Sequence, residues 1–248
     1  MRSSAQQVGA DHQDLTVAGL AAPVEIRRHP AARRLTVRVS PTRRAVIVTM
    51  PMRCGLSEAN RFLAAHLDWV REHLDKLPAV TPFADGTVIP FRGALHTLRF
   101  VGPQRLMKVV EVVATEAGGE LHVTGKAEHA ARRLKDWLIA EARADLDARV
   151  QWHARNLRLR PRRIAVRDQA TRWGSCSSNG VLSFSWRLVL APSLVLDYVA
   201  AHEVAHLAEM NHGPRFWELV RMTMPRMEEA RLWLRGNGAE LHAYDVVS

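Results

Sequence analysis

A chain of 248 residues, 47% apolar and 24% charged, has a globular composition and the length of one large domain or two small ones, which excludes a disordered or fibrous protein. Its net charge is +10, and all but four of its 35 basic residues are arginine, so its surface either attracts polyanions or is simply well solvated. Cys54 and Cys176 are its only cysteines and fit no ligand or disulfide pattern, which suits a reducing cytoplasm; no apolar run is long enough for a membrane span or a secretory signal.

Residues 1–22 are small, polar and aperiodic and are expected to form a disordered lead-in. Two alternating runs, 35–39 and 45–50, flank Ser40-Pro41-Thr42-Arg43-Arg44 and predict a hairpin. Eight arginines between 27 and 53 face a single acid, Glu25. Such a face can hold nucleic acid or a nucleotide, but charge on an edge strand also blocks aggregation, and the solvated edge is the preferred reading. Ser57 can cap a helix running to about Leu77, where Pro78 ends it. Short runs at 88–91, 96–100, 108–113 and 120–124 predict a small antiparallel sheet.

From 128 to about 157, Leu134, Leu138, Ala142, Leu146 and Val150 recur at helical spacing. This helix is expected to open a second domain, with a boundary near 126. A second arginine cluster, 155–167, leads into a strand at 163–167. Arg172-Trp173-Gly174-Ser175-Cys176, a turn at 178–180 and the run 181–186 predict a hairpin that feeds the next helix. An edge strand beside a metal can hold an extended substrate by main-chain pairing. Gly174 permits close backbone approach there, and Arg172 can orient a substrate carbonyl or acid group. In the plainer reading, Trp173 and Gly174 only tighten the hairpin.

That helix, with Ser193 as its cap, contains His202-Glu203-Val204-Ala205-His206. Helical residues four apart share a face, so both imidazoles can converge on one Zn²⁺ at about 2.0–2.1 Å. Glu203 can reach the metal's water without being a ligand, the place of the general base in zinc peptidases. The bland alternative makes both histidines part of an Ala-rich core. His212, six residues on, is the preferred third ligand, brought back by a turn through Asn211 in a left-handed conformation; Glu228 and Glu229 compete for that role. Three protein ligands leave a fourth position open, as catalytic zinc requires. Helical runs follow to about 235, and 236–248 is expected to be a surface tail.

Arg172-Trp173-Gly174-Ser175-Cys176, then Asp197-Tyr198-Val199, the His-Glu-x-x-His and Asn211-His212-Gly213-Pro214-x-Phe216-Trp217 together resemble the YgjP-like metallopeptidases, relatives of the SprT and WLM zinc peptidases. The resemblance is specific over about 137–217 and looser over 24–77. It implies a zinc-binding fold with His202, His206 and His212 as ligands and Glu203 as catalytic base. Gly213 departs from the Ser that commonly follows the last His.

The resulting expectation is an α+β protein with a basic β-rich portion over 23–126 and a zincin-like catalytic domain with an HExxH active-site helix over 127–248. It would hold one zinc per chain and hydrolyse peptide or protein substrates. A metal-dependent hydrolase of nucleotides or other phosphate esters is a second reading, with the arginines holding phosphate. A nucleic-acid-binding protein with structural zinc is a third, against which the retention of Glu203 argues.

Overall fold

The computed structural model describes residues 12–15, 20, 22–104, 108–116 and 118–246. They divide between Leu77 and Pro78 into two compact units, each with its own hydrophobic core.

The first unit contains β1 (His12–Leu15), β2 (Val24–Arg28), β3 (Thr36–Ser40), β4 (Ala45–Met50), α1 (Leu56–Ala65) and α2 (Leu67–Asp75). The nearly continuous apolar run of β4 places it inside the sheet, whose order is β1-β2-β4-β3. β3 and β4 form the expected antiparallel hairpin, with Val37 opposite Val48, while β2 runs parallel to β4. Val24, Ile26, Val46, Val48 and Met50 share one face and pack with Ala59, Leu63 and Val70 of the helices.

Three details differ from expectation. His12–Leu15 is a strand paired with β2, because main-chain pairing at an open edge needs no apolar pattern. Of the expected lead-in, 1–11, 16–19 and 21 lie outside the described residues. The single helix from Ser57 is two helices, broken at His66 (φ −115°, ψ 11°), whose Nδ1 bonds the Phe62 carbonyl at 2.7 Å; the cap is Gly55. Part of the arginine cluster is used internally: Arg27 and Arg43 close on Glu25 at 2.6 and 2.9 Å, and Arg28 donates to the Met52 and Cys54 carbonyls.

The second unit opens with β5 (Thr81–Pro82), β6 (Val88–Phe91), β7 (Ala94–Gly102), β8 (Val110–Thr115), β9 (Gly118–Thr124) and α3 (Ala127–Asn156). The sheet has the order β6-β7-β9-β8 and is mixed, not antiparallel throughout. β9 turns back from β8 and inserts beside β7, so those two run parallel. Ile89, Phe91, Leu98, Leu121 and Val123 share one core with Leu134, Leu138, Leu146 and Val150 of α3. That shared core is why the division falls at 77/78 and not near 126.

β10 (Arg163–Arg167), β11 (Gly174–Cys176) and β12 (Val181–Ser185) make a second sheet of order β10-β12-β11, which leaves β11 at an edge. A 3₁₀ turn at Trp186–Val189 leads to α4 (Ser193–Ala205), followed by α5 (Pro214–Thr223) and α6 (Met227–Asn237). α4 is buried on almost every side, through Val195, Leu196, Val199, Ala200, Ala201, Val204 and Ala205, so its sequence is apolar all round. It starts after Pro192 without a side-chain cap from Ser193. Asp197 ties α4 to α3 by accepting hydrogen bonds from Arg149 and His153.

The expected surface tail is integrated instead. A 3₁₀ turn at Gly238–His242 buries Leu241, and β13 (Tyr244–Asp245) pairs in parallel with β5. The reason is Arg187, which is fully buried and needs acceptors. It donates to the Leu241 and Tyr244 carbonyls and pairs with Asp245 at 2.7 Å and Asp168 at 3.1 Å. Among the described residues, no helix is long and apolar enough to cross a membrane.

Candidate metal centre

α4 ends at Ala205, so His202 and His206 span its last turn, not its middle, with His206 at the C-cap. His206 Nδ1 donates to the Glu209 carbonyl at 2.9 Å, which turns Nε2 toward the other rings. His202 Nδ1 meets the Tyr198 hydroxyl at 3.5 Å. The chain then reverses through bonds from Leu207 N–H to Val204 O, from Glu209 N–H to Ala205 O and from Gly213 N–H to Asn211 O. Asn211 is not left-handed: among described non-glycine residues, only Arg44, Arg92 and Arg158 have positive φ.

This reversal brings His212 Nε2 to 3.1 Å from His202 Nε2, and one ring nitrogen from each of His202, His206 and His212 lies within 4.8 Å of the others. Glu228 and Glu229 are engaged by Arg231 and Arg226 and are not part of the cluster. Phe216, buried at the start of α5, walls all three rings at centroid distances of 4.9, 4.5 and 4.7 Å. Trp217 stacks on His212 and carries the Arg231 guanidinium over its own ring.

Burial, followed by the charges of His206, His212 and Arg231, pushes His202 down to about 3. Burial also lowers His206. Both rings are therefore neutral near pH 7, with the free lone pair that a metal requires. Tetrahedral zinc holds imidazole nitrogens roughly 3.3 Å apart. The 3.1 Å pair is close to that spacing, and the donor set fits the ion.

Glu203 lies on the inner side of the same helix, only 5% exposed. Burial raises its carboxyl to about 8 against the opposing charge of Arg172, and Oε2 has no hydrogen-bond partner among the described residues. Gly174 explains how the main chain of β11 comes so near. A Cβ there would stand 2.5 Å from Glu203 Oε1 and 2.6 Å from Cγ. The close approach expected at Gly174 is thus to the Glu203 side chain.

Arg172 is exposed, with its charge felt at Glu203. Trp173 stacks on His242 and lies against Gly238, a packing role. Burial, then the nearby Glu203, raises the Cys176 thiol, which stands outside the histidine cluster. Sequence reasoning gave no role to Tyr198, the Glu209 carbonyl or the aromatic wall. The one available signal was Tyr198, a helical turn before His202.

Three imidazoles gathered at the end of a His-Glu-x-x-His helix whose Glu is buried are the arrangement of metal-dependent hydrolases. Residues 33–237 match the family described as YgjP-like, metallopeptidase domain, and the chain belongs to that family. No curated protein matches the chain. Among solved structures, the metallopeptidase zymogen of Pyrococcus abyssi abylysin aligns at TM-score 0.34 and 17% identity, over 41% of this chain and 99% of that one.

Proposed function

We propose that the chain is a zinc-dependent peptidase in which His202, His206 and His212 hold one metal ion and Glu203 is the general base. The observation that carries this reading is the convergence of three imidazole nitrogens within 4.8 Å at the end of a helix whose Glu203 is buried, with Oε2 lacking a partner among the described residues. Zinc held by these three imidazoles would supply Lewis acidity and would make water a stronger acid near neutral pH.

A bound cation would favour the ionised carboxylate over the protonated form that burial imposes without metal, and as a carboxylate Glu203 would accept a proton from the attacking water and return it to the departing amine. The Tyr198 hydroxyl and the Glu209 carbonyl fix the orientation of the His202 and His206 rings. The open edge of β11 pairs with the main chain of an extended peptide, and Arg172 orients a carbonyl or acid group of that substrate.

The test is metal content and hydrolysis measured together on wild type and Glu203→Gln, offered unfolded protein, DNA-bound protein and nucleoside triphosphates. The expected result is one zinc per chain in both proteins, with proteolysis reduced about 10²–10⁴-fold in the variant. A wild type that takes up no zinc on reconstitution, or that hydrolyses only triphosphates, refutes the proposal.

A further inference from the structure

The outer face of the β10-β12-β11 sheet carries a polar pocket of about 300 Å³ of which the mechanism above uses only Arg172. Arg167, Gln169, Thr171, Arg172, Ser175 and Ser183 line it, and no acid does. Strand register places it. Gly174 pairs with Phe184 and faces α4 and Glu203, whereas the next residue, Ser175, pairs with Ser183 and faces the other way. Ala165 is the β10 partner of Ser183, and Arg167, two residues on, leaves the strand on that same face.

The loop from β10 to β11 closes the rim with Thr171 and Arg172. Arg167 and Arg172 form no ion pair with any described residue, and the acid nearest them in sequence, Asp168, is taken by Arg187. The pocket therefore presents two guanidinium groups and three hydroxyls with no carboxylate in its lining, although the charge of Arg172 also reaches Glu203.

We propose that this pocket is a substrate subsite that selects an aspartate or glutamate side chain. The inference rests on the peptidase reading, in which an extended peptide lies along the open edge of β11. Such a peptide sends alternate side chains to opposite faces. Those directed toward α4 meet the metal centre, and those directed away meet Ser175 and Arg172. A carboxylate there gains charge-assisted bonds from the guanidinium groups, with the serines filling its remaining acceptor positions. A lysine meets two like charges. Arg172 thus acts on specificity.

The experiment uses the full chain and extended neutral peptides, capped at both ends, with Glu, Gln or Lys scanned through each position. Cleavage by the wild type is expected to favour Glu over Lys by about tenfold at alternate positions, as attraction to two partly exposed arginines replaces repulsion. Arg167→Glu with Arg172→Glu should invert that order at unchanged zinc content, and Arg167→Gln alone should weaken it. Binding of the same peptides, fluorescently labelled, to Glu203→Gln reads the subsite without turnover.

Cleavage without discrimination between Glu and Lys overturns the subsite, as does equal binding of the two by Glu203→Gln. If the wild type cleaves no peptide while Glu203→Gln still ranks Glu above Lys, the peptidase reading fails and the subsite stands.

Discussion

Glu203 is a carboxyl poorly suited to its surroundings. Its carboxyl is 5% exposed, one oxygen lacks a partner among the described residues, and burial holds its pKa at about 8 against roughly 4.3 in an unfolded chain. Between those values the folded metal-free protein keeps a proton that the unfolded chain has released, so its stability falls as pH rises from about 4 to 8. Glu203→Gln removes that dependence. At pH 8 the metal-free variant should be more stable than metal-free wild type, by on the order of 3 kcal/mol, with most of the difference gone at pH 5. Thermal melts of both proteins in chelator at the two pH values check this; coincident melting temperatures at pH 8 would show that the carboxyl is not strained. The three histidines were legible because helical spacing fixes the first pair and helix termination returns the third. The cost of placing Glu203 among them was not, since burial is a property of the packed fold and not of the motif.

Between elements, the decisive contact is β11 against α4. The motif around Gly174 marked a close approach, but which atom it approached depended on how two segments far apart in sequence meet. Gly174→Ala puts a methyl group 2.5 Å from Glu203 Oε1, so either the strand retreats or the carboxyl swings away. The three clustered histidine rings lie elsewhere on α4 and on the chain after it, so zinc content should match the wild type. Proteolysis should fall by about 10²-fold, the effect of displacing a catalytic group by about 1 Å. Zinc analysis beside a peptide-cleavage assay separates these outcomes; full activity would mean the contact relaxes at no cost. Other pairings follow the same logic. The stripe on α3 was readable from its four-residue spacing, whereas the parallel β7–β9 pair was not, because runs at 96–100 and 120–124 carry no sign of which edge β9 will join. The interruption at His66 was equally hidden, since the apolar pattern continues across it.

At the scale of the molecule, two cores divide at Pro78, and every residue of the histidine cluster, with Glu203, Arg172 and Gly174, belongs to the second unit. A fragment of residues 78–248 retains that whole core and should melt cooperatively and bind one zinc per chain. Removing 238–248 from the full chain should do the opposite. Arg187 would lose the Leu241 and Tyr244 carbonyls and the Asp245 carboxylate, which leaves Asp168 as its remaining carboxylate partner among the described residues. Stranding a buried cation in this way costs about 3–5 kcal/mol, a large share of the stability of a typical domain. Trp173 would also lose its stack on His242, and with it the support beside Gly174 and the edge of β11. Circular dichroism melts and zinc content of the two truncations decide the matter. A shortened C-terminus that still melts like wild type would show that Arg187 finds other acceptors. The C-terminal stretch reads as a tail because it is short and without period; its importance comes from what it offers a single buried arginine about fifty residues upstream, and no local pattern records that.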